Sequence, residues 1–174
     1  MATFLEIISI APFQWQAVGV ALLCGIVVGI ERQLRGKPVG IRTASLITLG
    51  TYIFTAAGIS VMSDQSDPSR IIGQVVTGVG FLGAGVMLSK DGVVIGVTSA
   101  ATIWVLAAIG VVIAVATPFT AIKLSLLVIL ILHGVEVLET YSATFTRGVH
   151  ARYRIWRGNT ENVSEHDTHT SSDN

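Results

Sequence analysis

Two groups of polar residues interrupt an otherwise apolar chain, and their types and spacing bound the chemistry available to it. The first lies in GIERQLRGKPVGIRT, from Gly29 to Thr43, where Glu31, Arg32, Arg35, Lys37 and Arg42 crowd the junction of two apolar runs. Cations gathered there suit an anion or lipid-headgroup site, or a docking surface for another membrane complex; they equally suit the basic signal that orients membrane helices. Glu31 and Arg42 stand close enough to hydrocarbon to need partners, since an ionised side chain there costs about 3 kcal/mol or more. Mutual pairing of these two is the expectation. The second group is Asp67, Arg70, Gln74 and Thr77. Arg70, Gln74 and Thr77 recur at steps of four and three, which places them on one helical face. Joined to Thr98 and Thr102, they would form a polar path for an ion, although no carboxylate sits at mid-span to anchor a cation.

No nucleophile with a neighbouring base, no paired carboxylates and no zinc-type spacing occur, so neither an enzyme nor a bound metal or cofactor is expected. Cys24 stands alone in an apolar run, which excludes an intrachain disulfide and suits a small packing residue. His133 and Glu136 lie one turn apart, followed by Glu139. A proton relay or metal half-site is the functional reading of these three; a membrane-boundary histidine with solvated carboxylates is the preferred one. His166 and His169 would hold a metal only loosely.

The elements that must carry these residues are membrane helices. Of 174 residues, 51% are hydrophobic and 13% charged, about half the charged share of an ordinary soluble domain. The net charge is zero and the basic residues collect near segment ends, so there is no electrostatic footprint for nucleic acid. Hydropathy predicts an all-α membrane protein with a five-helix domain over 1–140 and spans near 14–31, 43–62, 71–89, 95–116 and 120–139. A basic juxtamembrane segment of strand period is expected over 141–157 and a disordered tail over 158–174. The first run lacks a basic leader and a cleavage site, so it is expected to remain in the mature protein. Nine Lys and Arg fall on one side of the five spans and two, Arg70 and Lys123, on the other. The positive-inside rule then places the N-terminus outside and the C-terminus in the cytoplasm.

Small residues set the expected packing. Gly25 and Gly29 form a GxxxG pair in span one. Span three opens with Asp67 as N-cap and Pro68 at the first helical position. Its Gly73, Thr77, Gly80 and Ala84 line one face, with Gly78 and Gly85 on a second and Gly83 between them. In water such glycines would cost roughly 1 kcal/mol each; in lipid they let backbones approach closely. Span three is therefore expected at the centre of the bundle. Without a preceding strand or a closing lysine, the run does not suit a phosphate loop. Span five, bulky on every side through LSLLVILIL, is expected at the periphery.

With these residues in hand, the chain resembles the MgtC/SapB family of bacterial inner-membrane proteins. The likeness is carried by GIERQLRGKPVGIRT, DPSRIIGQVVTGVGFLGAGVM and GVTSAATIW, which together span most of residues 20–115. Departures are mild: the family usually has Ala and Leu where this chain has Val39 and Ile41, and often a second Thr at Ser99. Longer relatives continue into a soluble ACT-like domain, and this chain resembles the membrane module alone. The resemblance implies a multi-pass protein of the inner membrane associated with growth in low magnesium and survival inside macrophages. It also implies restraint of the proton-driven ATP synthase by contact within the membrane. The expected partners are thus the lipid bilayer, a second copy in a homodimer, or an integral membrane complex such as ATP synthase; a small ion transporter or channel is the alternative.

Overall fold

The computed structural model describes residues 9–63, 67–90 and 93–141, so the juxtamembrane and tail expectations lie outside the described residues. The described chain runs α1 (Trp15–Leu34), α2 (Ile41–Ser60), α3 (Pro68–Gly85), β1 (Leu88–Lys90), β2 (Val93–Ile95), α4 (Val97–Val115) and α5 (Pro118–Tyr141). It divides into two compact units, residues 1–130, which hold the bundle, and 131–174, of which the last turns of α5 are described. Four of the five helices, α1, α2, α4 and α5, are long and apolar enough to cross a membrane. The exception is α3, which has 18 residues and opens on Pro68, Ser69 and Arg70.

Small residues weld α1, α2 and α4 together. A Cβ on Gly25 would lie 2.5 Å from Ser45 Cα, and one on Gly29 would lie 2.5 Å from Ile41 Cα, so the backbones of α1 and α2 touch at both levels. On α4, a Cβ at Gly110 would meet the Thr48 carbonyl oxygen at 2.6 Å. Thr48, Thr51 and Thr55 are buried at this seam. Their polarity is contained: the Thr48 hydroxyl donates to the Ala44 carbonyl at 3.0 Å and that of Thr55 to Thr51 at 2.8 Å. The core continues through Ala17, Ala21, Cys24, Tyr52, Ile109, Ile113 and Ala121. Tyr52 fastens the entry of α1, its hydroxyl accepting from the Gln14 amide at 3.1 Å while its ring meets Phe13 edge-on.

The glycine-rich helix is not the centre. Of α3 only Gly83 is buried, where a Cβ would lie 3.5 Å from the Ala100 carbonyl oxygen, while Cβ atoms on Gly73, Gly78, Gly80 or Gly85 would meet nothing within 4 Å among the described residues. Ile71, Ile72, Val75 and Val79 are half-buried while Phe81 and Leu82 are exposed, so α3 packs against α2 and α4 on one side and is not enclosed by the bundle. Helix α3 also stops four residues earlier than hydropathy suggests. The chain then forms a short antiparallel hairpin, Leu88 opposite Ile95 and Lys90 opposite Val93, which hydropathy does not anticipate within an otherwise all-helical structure. The β-branched run Val93, Val94 and Ile95 between two glycines is the strand signal. Gly96, at φ +91°, turns the hairpin into α4, and a Cβ there would strike the Val86 carbonyl oxygen.

Candidate functional site

The charged end of α1 is assembled by a tight C-terminal turn. The Gly36 amide donates to the Gln33 carbonyl at 3.1 Å and that of Lys37 to Arg32 at 3.0 Å, with Gly36 at φ +61°. This is a Schellman ending, which caps the last carbonyls and swings the chain toward α2. The α2 start is capped from the same turn, Gln33 Oε1 accepting from the Ile41 amide at 3.3 Å.

Within this frame the five charged residues part company. Arg32 turns inward, 4% exposed, and its Nη2 donates to Ser99 Oγ at 3.0 Å across to the first turn of α4. Glu31 does not pair with Arg42. Its Oε1 meets Arg35 Nε at 2.7 Å, one helical turn on, an ion pair whose angles are not those of a hydrogen bond. The two side chains are 10% and 20% exposed, respectively. Arg42 and Lys37 are exposed at the rim, Arg42 beside a small cleft formed with Gln33, Gly40, Ile41 and Thr43. Glu31 Oε2, Arg32 Nε and Ser45 Oγ have no hydrogen-bond partner, so this end holds unspent polar capacity in a buried setting.

The second group is split. Asp67 caps α3, accepting from the Ser69 amide at 2.9 Å and from the Ser69 hydroxyl at 2.6 Å. These bonds, the hydroxyl's first, hold its carboxyl below the ordinary value. Arg70 and Gln74 line an open groove of about 830 Å3 between α2 and α3, walled by Leu46, Ile47 and Phe54 on one side and Ile71, Val79 and Leu82 on the other. Thr77 lies outside that lining, its hydroxyl donating to the Gly73 carbonyl at 2.9 Å. Thr102 is buried and donates to the Thr98 carbonyl at 2.8 Å, while Thr98 is itself exposed. With Thr77 and Thr102 bonded to their own helices, the five residues do not form one polar line.

Sequence reasoning missed Ser99, Gln33 and Tyr52 as partners. Ser99 carried a signal: it lies in the first turn after a glycine, where a short hydroxyl can meet a neighbouring helix end.

Comparison with known proteins follows the same residues. The sequence profile of the MgtC family matches residues 18–141, from the first turn of α1 to the end of α5. The chain belongs to the MgtC family. Among its MgtC-family relatives, YhiD of Escherichia coli K12, named as a candidate magnesium transporter, is 46% identical over 110 residues, covering 59% of this chain and 51% of that protein. Protein MgtC of Brucella abortus is 42% identical over 91 residues, 52% of this chain and 38% of that one. Protein SapB of Bacillus subtilis is 39% identical over 101 residues, 53% and 44% of the two chains. The chain thus spans about half the length, or less, of the curated relatives it matches. No solved structure matches it.

Proposed function

We propose that this MgtC-family chain is a non-enzymatic, multi-pass regulator of the bacterial inner membrane, N-terminus outside and C-terminus inside, acting by helix contact with another integral membrane complex. One observation carries the reading: Gly73, Thr77, Gly80 and Ala84 form a small-residue stripe along α3 whose residues are exposed and where a Cβ added to either glycine would meet nothing within 4 Å among the described residues. Elsewhere in the bundle such residues, at Gly25, Gly29 and Gly110, are consumed by neighbouring backbones. An unfilled stripe on a membrane helix suits a helix from outside the chain, because small side chains let backbones approach and gain dispersion contacts. The Thr77 hydroxyl is satisfied within its own helix, so the stripe carries little polarity into such a contact. ATP synthase is the partner that the family resemblance suggests.

Transport is the competing reading, taken from the name of YhiD. Helices α2, α3 and α4 contain no Asp or Glu, the side chains that ordinarily bind a magnesium ion or its waters. A photoreactive group at Gly80 in native membranes should crosslink to a membrane subunit of the partner. Gly80→Leu should prevent that capture and the low-magnesium growth phenotype while leaving the purified protein's melting temperature unchanged. Selective magnesium flux through liposomes holding the purified chain alone, lost on Arg70→Ala, would overturn the proposal.

A further inference from the structure

The groove between α2 and α3 lies on the other side of α3 from the small-residue stripe, and the regulatory reading does not use it. Its walls are mostly apolar, and its floor is open where Gly50 and Gly78 replace side chains: a Cβ on either would meet nothing within 4 Å among the described residues. Near one end stand Arg70 and Gln74. The nearby carboxylate, Asp67, is engaged with Ser69 through both oxygens and reaches Arg70 through space without closing an ion pair, so among the described residues the Arg70 guanidinium has no hydrogen-bond or salt-bridge partner, its backbone amide alone donating to the Asp67 carbonyl. The contact of Ile71 with Gly58, two residues before the end of α2, places this cation within about one turn of the bundle's rim.

We infer that the groove is a binding site for one anionic phospholipid, its phosphate on Arg70 and Gln74 and an acyl chain along the apolar walls. Length agrees: from Arg70 to Leu82 is twelve residues, about 18 Å of helix, against about 15 Å for the hydrocarbon of one leaflet. Volume agrees too, since 830 Å3 falls in the range of sites for organic ligands. Charge decides between a lipid and a second copy. The groove lining carries a cation and no carboxylate, so two copies joined through this same face would bring it no counter-charge, whereas a phosphate diester supplies one and suits a guanidinium's paired donors.

Native mass spectrometry of the full chain, purified in detergent with equal phosphatidylglycerol and phosphatidylcholine, tests this. Phosphatidylglycerol should be retained roughly fivefold over phosphatidylcholine, the scale one basic side chain supplies at an anionic surface. Arg70→Gln should bring the ratio near one and Arg70→Lys should keep most of it. Gly78→Phe, which fills the groove where a Cβ has room, should remove both lipids with Arg70 in place. Excess inorganic phosphate should displace neither. Circular dichroism checks that each variant is folded, and Gly80→Leu, which alters the other face, should keep the parent ratio. The proposal is overturned by a parent ratio near one, by an unchanged ratio in Arg70→Gln, by displacement with phosphate, or by a lipid-free dimer that Gly78→Phe dissociates.

Discussion

Arg32 is the residue on which the charged end of α1 depends, because its bond to Ser99, 67 positions along the chain, ties α1 to α4. A hydrogen bond to a charged group contributes about 1.5 to 3 kcal/mol. Ser99→Ala should therefore lower the melting temperature in detergent, and Thr98→Ala, one residue away and exposed, should leave it unchanged. Equal behaviour of the two variants would show that the Arg32 contact contributes nothing. Asp67 makes a second residue-scale case, this time in pH. Its folded carboxyl is held below the ordinary value by Ser69, so the stabilisation is full above the unfolded value near 4. It is lost as pH falls through the depressed folded value. Amide protection at Ser69 should drop over that acid window and should show no such drop in Asp67→Asn. The sequence exposes the cluster but pairs it wrongly. Arg32 lies seven residues beyond Gly25, on the packed stripe of α1, so its inward course was readable from helical period. The Glu31 pairing followed the same period, since a partner four residues away on the same helix is nearer than one across a turn.

At the scale of elements, the glycines of α1 and those of α3 look alike in sequence and differ in what they meet. Spacing shows that a helix can be approached closely; it does not show whether the approaching backbone belongs to the same chain. That information lies in the surrounding geometry, which gives Gly25 and Gly29 to α2 and leaves Gly73 and Gly80 open. Gly29→Leu should accordingly abolish the folded bundle, because its branch would have to displace the Ile41 backbone, while Gly80→Leu should melt as the parent does. Size-exclusion and thermal unfolding of the two purified variants check this, and loss of fold from Gly80→Leu would return α3 to the centre. The peripheral character of α5 was easier to read: up to Leu130 it buries Ala121 and Ser125 and leaves Leu126, Leu127 and Leu130 exposed, as a uniformly bulky sequence requires. The hairpin was not legible by hydropathy, which registers Leu88 to Ile95 as more apolar chain and cannot distinguish a strand pair from the end of a span.

For the molecule as a whole, the question is whether α3 crosses the bilayer, since it is not among the four helices that length and composition qualify. Packing gives a reason to expect that it does. Gly58 near the end of α2 touches Ile71 at the start of α3, while Gly83 near the end of α3 touches Ala100 at the start of α4. The Arg32 bond to Ser99 sets that start of α4 beside the end of α1. Helix α3 therefore runs from one end of the bundle to the other, and the hairpin shares a side with the α1–α2 turn. In the proposed orientation the positive-inside rule assigns the hairpin's side, with Arg32, Arg35, Lys37 and Arg42, to the cytoplasm and the opposite end, with Arg70, to the outside. In a Cys24→Ser background, a membrane-impermeant thiol reagent added to intact cells should label Ser63→Cys and spare both Lys37→Cys and Ser89→Cys until the membrane is permeabilised. Labelling of Ser89→Cys together with Ser63→Cys would mean that α3 enters and leaves on one face, and the groove would then no longer match a leaflet in length. Labelling of Lys37→Cys and Ser89→Cys alone would keep the five crossings and reverse the orientation.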